Sequence, residues 1–332
     1  MKLKINQAKK LLVDVLIREG LKKDNAKIIM EDYIEGEFLG KPSHGLLAFP
    51  SIVERVKTIK GKGKVVKNTG SYAFINGQGN FGQIIAVKAR ELVIKKAKKS
   101  GIAMVGMNNI LPFLRPGSQA EKIADKNLIA LVFINGGKAM VAPAGGIDPV
   151  TGTNPMGIGI PTTGQSVVAD MATSNRAWGE VRLAKLFNHS LPPDSYLDKK
   201  GNIALDADKA YSALPFGGYK GFTLSLLFEI LTGSLVNSGM KNEKVNKKLM
   251  YDYRKSYRGA LFVAIDPSKF TSLKKFKEEN SKLVRVVKRS RKLKGVQEIF
   301  VAGERARKNK EKVLKRGYFE VEDSLYKTLM EL

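Results

Sequence analysis

Apolar residues recur at Leu11, Leu12, Val15 and Leu16, a spacing that predicts an amphipathic helix over residues 7–19, stopped by Gly20. A second helical pattern covers residues 26–39, with Ile28, Ile29, Tyr33 and Phe38 among its apolar positions, and Gly40 and Pro42 end it. Short apolar runs at residues 72–75, 102–106 and 128–133 then predict strands, and helical spacing over 84–99 and 118–126 places helices between them. Further on the pattern predicts a helix at 176–187, a polar loop at 194–207, an apolar helix at 223–236, a strand at 259–265 and a helix at 270–278. Two short segments, 301–305 and 318–322, and a helix from Ser324 close the chain, with no internal repeat or low-complexity linker.

One block departs from the rest. Lysine is abundant elsewhere, yet none occurs between Lys138 and Lys185. Within that interval, residues 141–180 carry glycines, prolines and small hydroxylated side chains. Two apolar runs there, 156–161 and 166–171, flank the turn signal Thr162-Thr163-Gly164 and predict a strand, a turn and a strand. The second run ends at Asp170 and opens into Ala172-Thr173-Ser174-Asn175, where backbone amides and hydroxyls can meet a ligand closely. A buried antiparallel hairpin accounts for the pattern equally well.

Composition narrows the chemistry. The chain of 332 residues has no cysteine, which excludes disulfides, thiol nucleophiles and thiolate-ligated metals. Its two histidines, His44 and His189, lie far apart, so a histidine-based metal site is not expected. No apolar run approaches the roughly 20 residues of a membrane span, and the N-terminus lacks a signal-peptide core, so a cytoplasmic protein with no membrane partner is expected. The formal charge of +27 invites a polyanion partner, but the lysines are spread over most of the chain. The densest basic run, residues 283–294, alternates charge with apolar residues as an exposed face does, and specific nucleic-acid binding is not expected.

Three places carry candidate chemistry. Ser43-His44-Gly45 follows the second helix, where a histidine can reach a cleft and titrate near neutral pH; a surface histidine fits the same position. Gly77-Gln78-Gly79-Asn80-Phe81-Gly82 has the form of a dinucleotide fingerprint between strand and helix. The next strand, however, runs into Met107-Asn108-Asn109 without the acidic residue that fold uses for the ribose, so the glycines read as a tight helix entry. In Gly217-Gly218-Tyr219-Lys220-Gly221, a lysine and free backbone amides converge at a helix start, which suits phosphate or carboxylate groups.

Six segments in order resemble the malate/L-lactate dehydrogenase family of the non-Rossmann type, which also includes ureidoglycolate, sulfolactate and diketogulonate oxidoreductases. They are Ser43-His44-Gly45, Gly79-Asn80-Phe81-Gly82-Gln83, Gly152-Thr153-Asn154-Pro155, Asp170-Met171-Ala172-Thr173-Ser174, Gly217-Gly218-Tyr219-Lys220-Gly221 and Gly303-Glu304. The resemblance implies a mixed, largely antiparallel α/β domain for the nicotinamide cofactor, with a helical part built from both termini. The expected boundaries are 1–70 and 266–332 for the helical part and 71–265 for the cofactor domain. It implies hydride transfer between NAD or NADP and a small anionic 2-oxo or 2-hydroxy acid, in a homodimer. It also implies cofactor contacts from Asp170, Met171, Ala172, Thr173, Ser174, Asn175 and Arg176, from Tyr219 and Lys220, and from Gly303, Glu304 and Arg305. His44 becomes the proton-transfer residue, with Ser43 orienting it or the substrate.

The chain also departs from the family pattern. An arginine common four residues after the histidine is Ala48 here, and an aromatic usual a little later is Ile52. A second family histidine, in a loop after the strand at 102–106, is absent, and the loop reads Asn108-Asn109-Ile110-Leu111-Pro112-Phe113-Leu114-Arg115-Pro116-Gly117. In one reading Arg115 replaces the lost carboxylate clamp and the acid substrate is unusual. In another the chain binds the cofactor without ordinary dehydrogenase activity. A third, resting on charge alone, makes it a polyanion-binding protein on this fold.

Overall fold

The computed structural model describes residues 1–59, 61–238 and 258–332. The chain begins with β1 (Lys2–Lys4), α1 (Ile5–Arg18), α2 (Lys23–Phe38) and α3 (Pro50–Val56), then β2 (Lys64–Asn68), β3 (Tyr72–Asn76), α4 (Gly82–Ser100) and β4 (Ile102–Ile110). Next come α5 (Pro116–Ala124), β5 (Ile129–Ile134), β6 (Met156–Ile160), β7 (Val167–Met171), α6 (Gly179–Phe187), β8 (Tyr196–Leu197) and β9 (Ser212–Ala213). The last are α7 (Tyr219–Glu229), β10 (Arg258–Ile265), α8 (Leu273–Lys288), α9 (Glu304–Arg316), β11 (Tyr318–Glu320) and α10 (Asp323–Glu331). No helix among the described residues is long and apolar enough to cross a membrane.

The elements fall into two compact units. One holds Met1–Lys60, Pro161–Val167 and Thr271–Leu332. Its two chain ends meet: β1 pairs antiparallel with β11, Leu3 opposite Phe319, and both side chains are fully buried. Phe319 stacks on Phe38 of α2 at 5.4 Å between ring centroids. Burying Leu3 alone is worth about 1.5–3 kcal/mol, enough to hold a three-residue strand that no local pattern predicts. In α9, Val313 is the one buried side chain, and Gly317 closes the helix in the left-handed region at φ 79.

The other unit, Gly61–Ile160 and Val168–Phe270, carries the main sheet. Its order is β2-β3-β4-β10-β5-β6-β7. β3 and β4 run parallel, whereas the β2–β3, β4–β10, β10–β5 and β5–β6 pairs are antiparallel. This is the mixed, largely antiparallel α/β architecture the resemblance implies. Helices α4 and α5 bury Ile85, Ala89, Val93, Ala120 and Ile123 against Val105, Val132 and Phe262 of the strands.

Some local expectations need correction. β4 continues through Asn108 and Asn109 to Ile110, because pairing of Asn108 with Asn76 and of Ile110 with Arg258 holds polar residues in the strand. The expected polar loop at 194–207 contains β8, and Tyr196 there is fully buried among Val141, Val181, Leu191 and Ala213. The apolar helix at 223–236 starts earlier, at Tyr219, and widens into a π-turn over Ile230–Ser234. α8 runs to Lys288 instead of ending near 278; its exposed, charged faces hide its length from a search for apolar positions.

Candidate active site

Ser43 and His44 stand on a 3-10 turn, Pro42–His44, just after α2. Ser43 Oγ lies 3.0 Å from His44 Nδ1, and both side chains are half-buried. The turn is clamped to α2 by two close approaches. A Cβ at Gly36 would lie 2.2 Å from the His44 carbonyl oxygen, and one at Gly45 would lie 2.2 Å from Glu37 Oε1. Glu37 Oε1 accepts from the Leu46 N–H at 2.7 Å. Burial pushes the Glu37 carboxyl above its ordinary range, and the Leu46 N–H and Arg316 only partly offset that. Ala48 and Ile52, at the positions of the family arginine and aromatic, are both buried, with Ile52 on α3. Neither position can present a clamp.

In the sheet unit, the formal dinucleotide fingerprint does sit in a strand–helix–strand crossover, since β3 and β4 are parallel. Its glycines serve packing instead. A Cβ at Gly77 would lie 2.7 Å from the Asn109 carbonyl oxygen, and one at Gly82 would lie 2.2 Å from that of Leu111. The loop after β4 therefore lies directly on the entry to α4, and Leu111 N donates to Asn80 O at 2.9 Å. Arg115, 2% exposed, occupies the N-cap of α5, with Pro116 at the first helical position. Gly117 N donates to Asp170 Oδ1 at 3.2 Å, so the carboxylate at the end of β7 sits at the positive end of α5. Arg115 and Asp170 thus belong to one neighbourhood.

Beyond Asp170 the chain forms a backbone ledge with the approach to α7. Ser174 bridges Pro215, Asn175 N donates to Leu214 O at 2.7 Å, and Phe216 N donates to Thr173 O at 3.0 Å. This joins Asp170–Arg176 to Gly217–Lys220 as one surface. Met171, Asn175 and Arg176 are exposed on it, Ala172 is half-buried, and Thr173 and Ser174 are buried. Gly217 and Gly218, at φ 58 and 65, have nothing within 4 Å of where a Cβ would be, and Tyr219 and Lys220 are exposed at the start of the 11-residue α7. Open space at the positive end of a helix and beside a lysine fits an anionic group such as a dinucleotide phosphate.

The Gly152-Thr153-Asn154-Pro155 segment braces this ledge from below. Thr153 O accepts from both the N–H and the Oγ1 of Thr173, each at 2.9 Å. Asn154 is fully buried in the left-handed region, φ 32; its Oδ1 accepts from Gly136 N at 2.8 Å, and its Nδ2 donates to Ser225 O at 2.9 Å and Glu229 Oε2 at 2.8 Å. The sequence marks the segment only as one of those that carry the resemblance, and its bracing role depends on partners about 20 and 70 residues away.

The turn at Gly303, Glu304 and Arg305 lies in the terminal unit and opens α9, with Gly303 as its left-handed N-cap at φ 91. Glu304 already has partners: Lys288 Nζ at 2.8 Å and 3.0 Å, and Val301 N at 3.1 Å. Burial raises its pKa, but those hydrogen bonds outweigh it and hold the carboxyl below the usual range. Arg305 lies over the Phe300 ring at 5.4 Å. What the turn offers a ligand is therefore mainly its backbone. His189 follows α6, whose C-cap is Asn188, and lies 6.0 Å from the Phe187 ring, on the exposed side of that element.

Comparison with known proteins adds the context. The model of the malate/L-lactate dehydrogenase family matches residues 3–330. A protein of Methanothermus fervidus named malate/(S)-sulfolactate dehydrogenase is 35% identical over 332 residues, 98% of this chain and 95% of its own. The solved sulfolactate dehydrogenase of Methanocaldococcus jannaschii superposes with a TM-score of 0.86 at 31% identity, covering 100% of this chain and 96% of the other. Malate dehydrogenase of Entamoeba histolytica gives a TM-score of 0.92, with coverage of 100% and 96%; at 24% identity this is a likeness of fold alone.

Proposed function

The chain belongs to the malate/L-lactate dehydrogenase family, and from that premise we propose that it is a dehydrogenase passing hydride between NAD or NADP and a small 2-oxo or 2-hydroxy acid. Malate- and sulfolactate-like acids are the first substrates to consider, since relatives matched over nearly the whole chain carry those names. The observation that carries the site assignment is the ledge joining Thr173–Asn175 to Leu214–Phe216, which sets the end of β7 beside the open turn before Lys220.

When bound, a nicotinamide cofactor supplies the hydride donor or acceptor. Its phosphates suit the Lys220 ammonium at the start of α7, and Asp170–Arg176 would hold the rest through backbone and hydroxyl groups. The Gly303–Arg305 turn is a further contact in this reading. His44 moves the proton: in reduction it gives one to the developing alkoxide, and in oxidation it takes one from the hydroxyl. With Nδ1 engaged by Ser43, Nε2 is the nitrogen for this transfer. Arg115, buried at the head of α5, holds the substrate carboxylate.

Homodimerisation belongs to the same proposal. Tyr72, Ile102 and Met104 are exposed on β3 and β4, and Leu226, Leu227, Ile230 and Leu235 are exposed on α7 and beyond. These apolar surfaces suit burial against a second copy.

The test is Lys220→Ala against wild type in a direct titration of NADH and NADPH. At least a tenfold loss of affinity for the preferred cofactor supports the placement, and unchanged affinity removes it. The absence of the second family histidine favours one rival, binding without turnover. Tight cofactor binding with no oxidation of NADH or NADPH by any 2-oxo acid would select that rival.

A further inference from the structure

Gln83 is the second residue of α4 and is 2% exposed, yet neither its Oε1 nor its Nε2 has a hydrogen-bond partner. Its neighbour in the motif behaves differently. Asn80 donates from Nδ2 to Gly61 O at 2.7 Å and accepts from Phe81 N at 2.7 Å, so that amide is a structural tie. A buried carboxamide lacking both bonds is costly and calls for a group that completes it.

Its place in the fold indicates which group. Gln83 is seven residues ahead of Arg90 and therefore on the same face of α4. That face meets α5, where Arg90 Nη1 donates to Gln119 Oε1 at 2.8 Å. Gln119 is four residues beyond Arg115. At the head of the helix pair, Gly82 lies against the backbone of Leu111–Phe113, just before Arg115. Gln83 and Arg115 are thus both buried at the shared N-terminal end of α4 and α5, and Asp170 caps α5 at the same end.

We propose that Gln83 is a substrate-binding residue: its Nε2 donates to a carboxylate or 2-oxo oxygen of the acid that Arg115 clamps. The proposal rests on the dehydrogenase reading above. It assigns Gln83 to recognition of the acid, leaving the proton to His44.

The experiment compares Gln83→Met with wild type, a change that keeps volume and removes both polar atoms. Oxalate, an inert analogue of a 2-oxo acid, is titrated by calorimetry into protein saturated with NADH or NADPH, whichever binds. Cofactor affinity and the melting temperature of the cofactor-free protein are measured alongside. The expected result is oxalate affinity weaker by about 10- to 100-fold, cofactor affinity unchanged, and a melting temperature equal to or above wild type. Equal oxalate affinity in the two proteins overturns the proposal, as does a wild type that binds no oxalate. A lower melting temperature overturns it too, because Gln83 would then have a structural partner. Oxalate binding that depends on Gln83 in a protein that turns over no acid would sink the dehydrogenase reading and keep this site. Turnover with a Gln83→Met KM equal to wild type would do the reverse.

Discussion

Asn154 is the position whose replacement has the most to say about how the ledge is held. Truncation to Ala of this fully buried side chain removes the acceptor for Gly136 N and the donor for Ser225 O and Glu229 Oε2. Two backbone groups left without that partner cost about 1–3 kcal/mol each. The backbone there, at φ 32, is one Asn tolerates and Ala does not, which adds about 1 kcal/mol. The total is about 3–7 kcal/mol, or on the order of 4–10 °C in melting temperature for a protein of this size. Asn154→Gly, free of the backbone term, should recover about 1 kcal/mol of it. Thermal and urea unfolding followed by circular dichroism measure the loss. A change below about 1 kcal/mol for Asn154→Ala would show that the segment is not the brace described, and would remove the link between Gly136, α7 and Thr173.

Two further outcomes follow from the same geometry. Because burial raises the folded-state pKa of Glu37, the native state holds a proton longer than the unfolded chain does; stability should fall as pH rises from its ordinary 4.5 through the raised value. Glu37→Gln keeps the acceptor for Leu46 N, so it should lack that fall and be at least as stable as wild type at neutral pH; an equal loss of stability at both ends of the range contradicts this. Gly117→Ala would place a Cβ 2.3 Å from that of Asp170, and overpacking of this kind costs about 1–3 kcal/mol; unfolding measurements that show no loss would refute the close approach.

The legible parts of the fold were those whose stability is written locally. α1, α4, β5 and β10 show apolar residues at helical or strand spacing because each buries one face in its own unit. β2 gives no such signal, since all five residues are exposed and the strand exists through pairing with β3. β1 is invisible for the same reason, and the short segment at 318–322 becomes the strand β11 only through its partner more than 300 residues away. α9 is charged on nearly every face, and α3 is seven residues long after a proline. At the site, His44 and Lys220 stand out by residue type and loop position, and Arg115 only through the resemblance and the departure from it. That Glu304 is held by Lys288, or that Asp170 caps α5, depends on packing that no spacing encodes. Gln83 shows the limit best: quoted as one letter of a motif, it becomes informative only once its burial and missing partners are known.

The central claim is that His44 moves the proton in a nicotinamide-dependent reduction of a small 2-oxo acid. The most direct measurement is the steady-state oxidation of NADH and NADPH by oxaloacetate and sulfopyruvate, the oxo forms of malate and sulfolactate, with wild type and His44→Ala side by side. Expected are turnover by wild type on at least one acid, a fall in kcat of about 10²–10⁴-fold in the variant, and unchanged cofactor affinity. Equal kcat in the two proteins would contradict it.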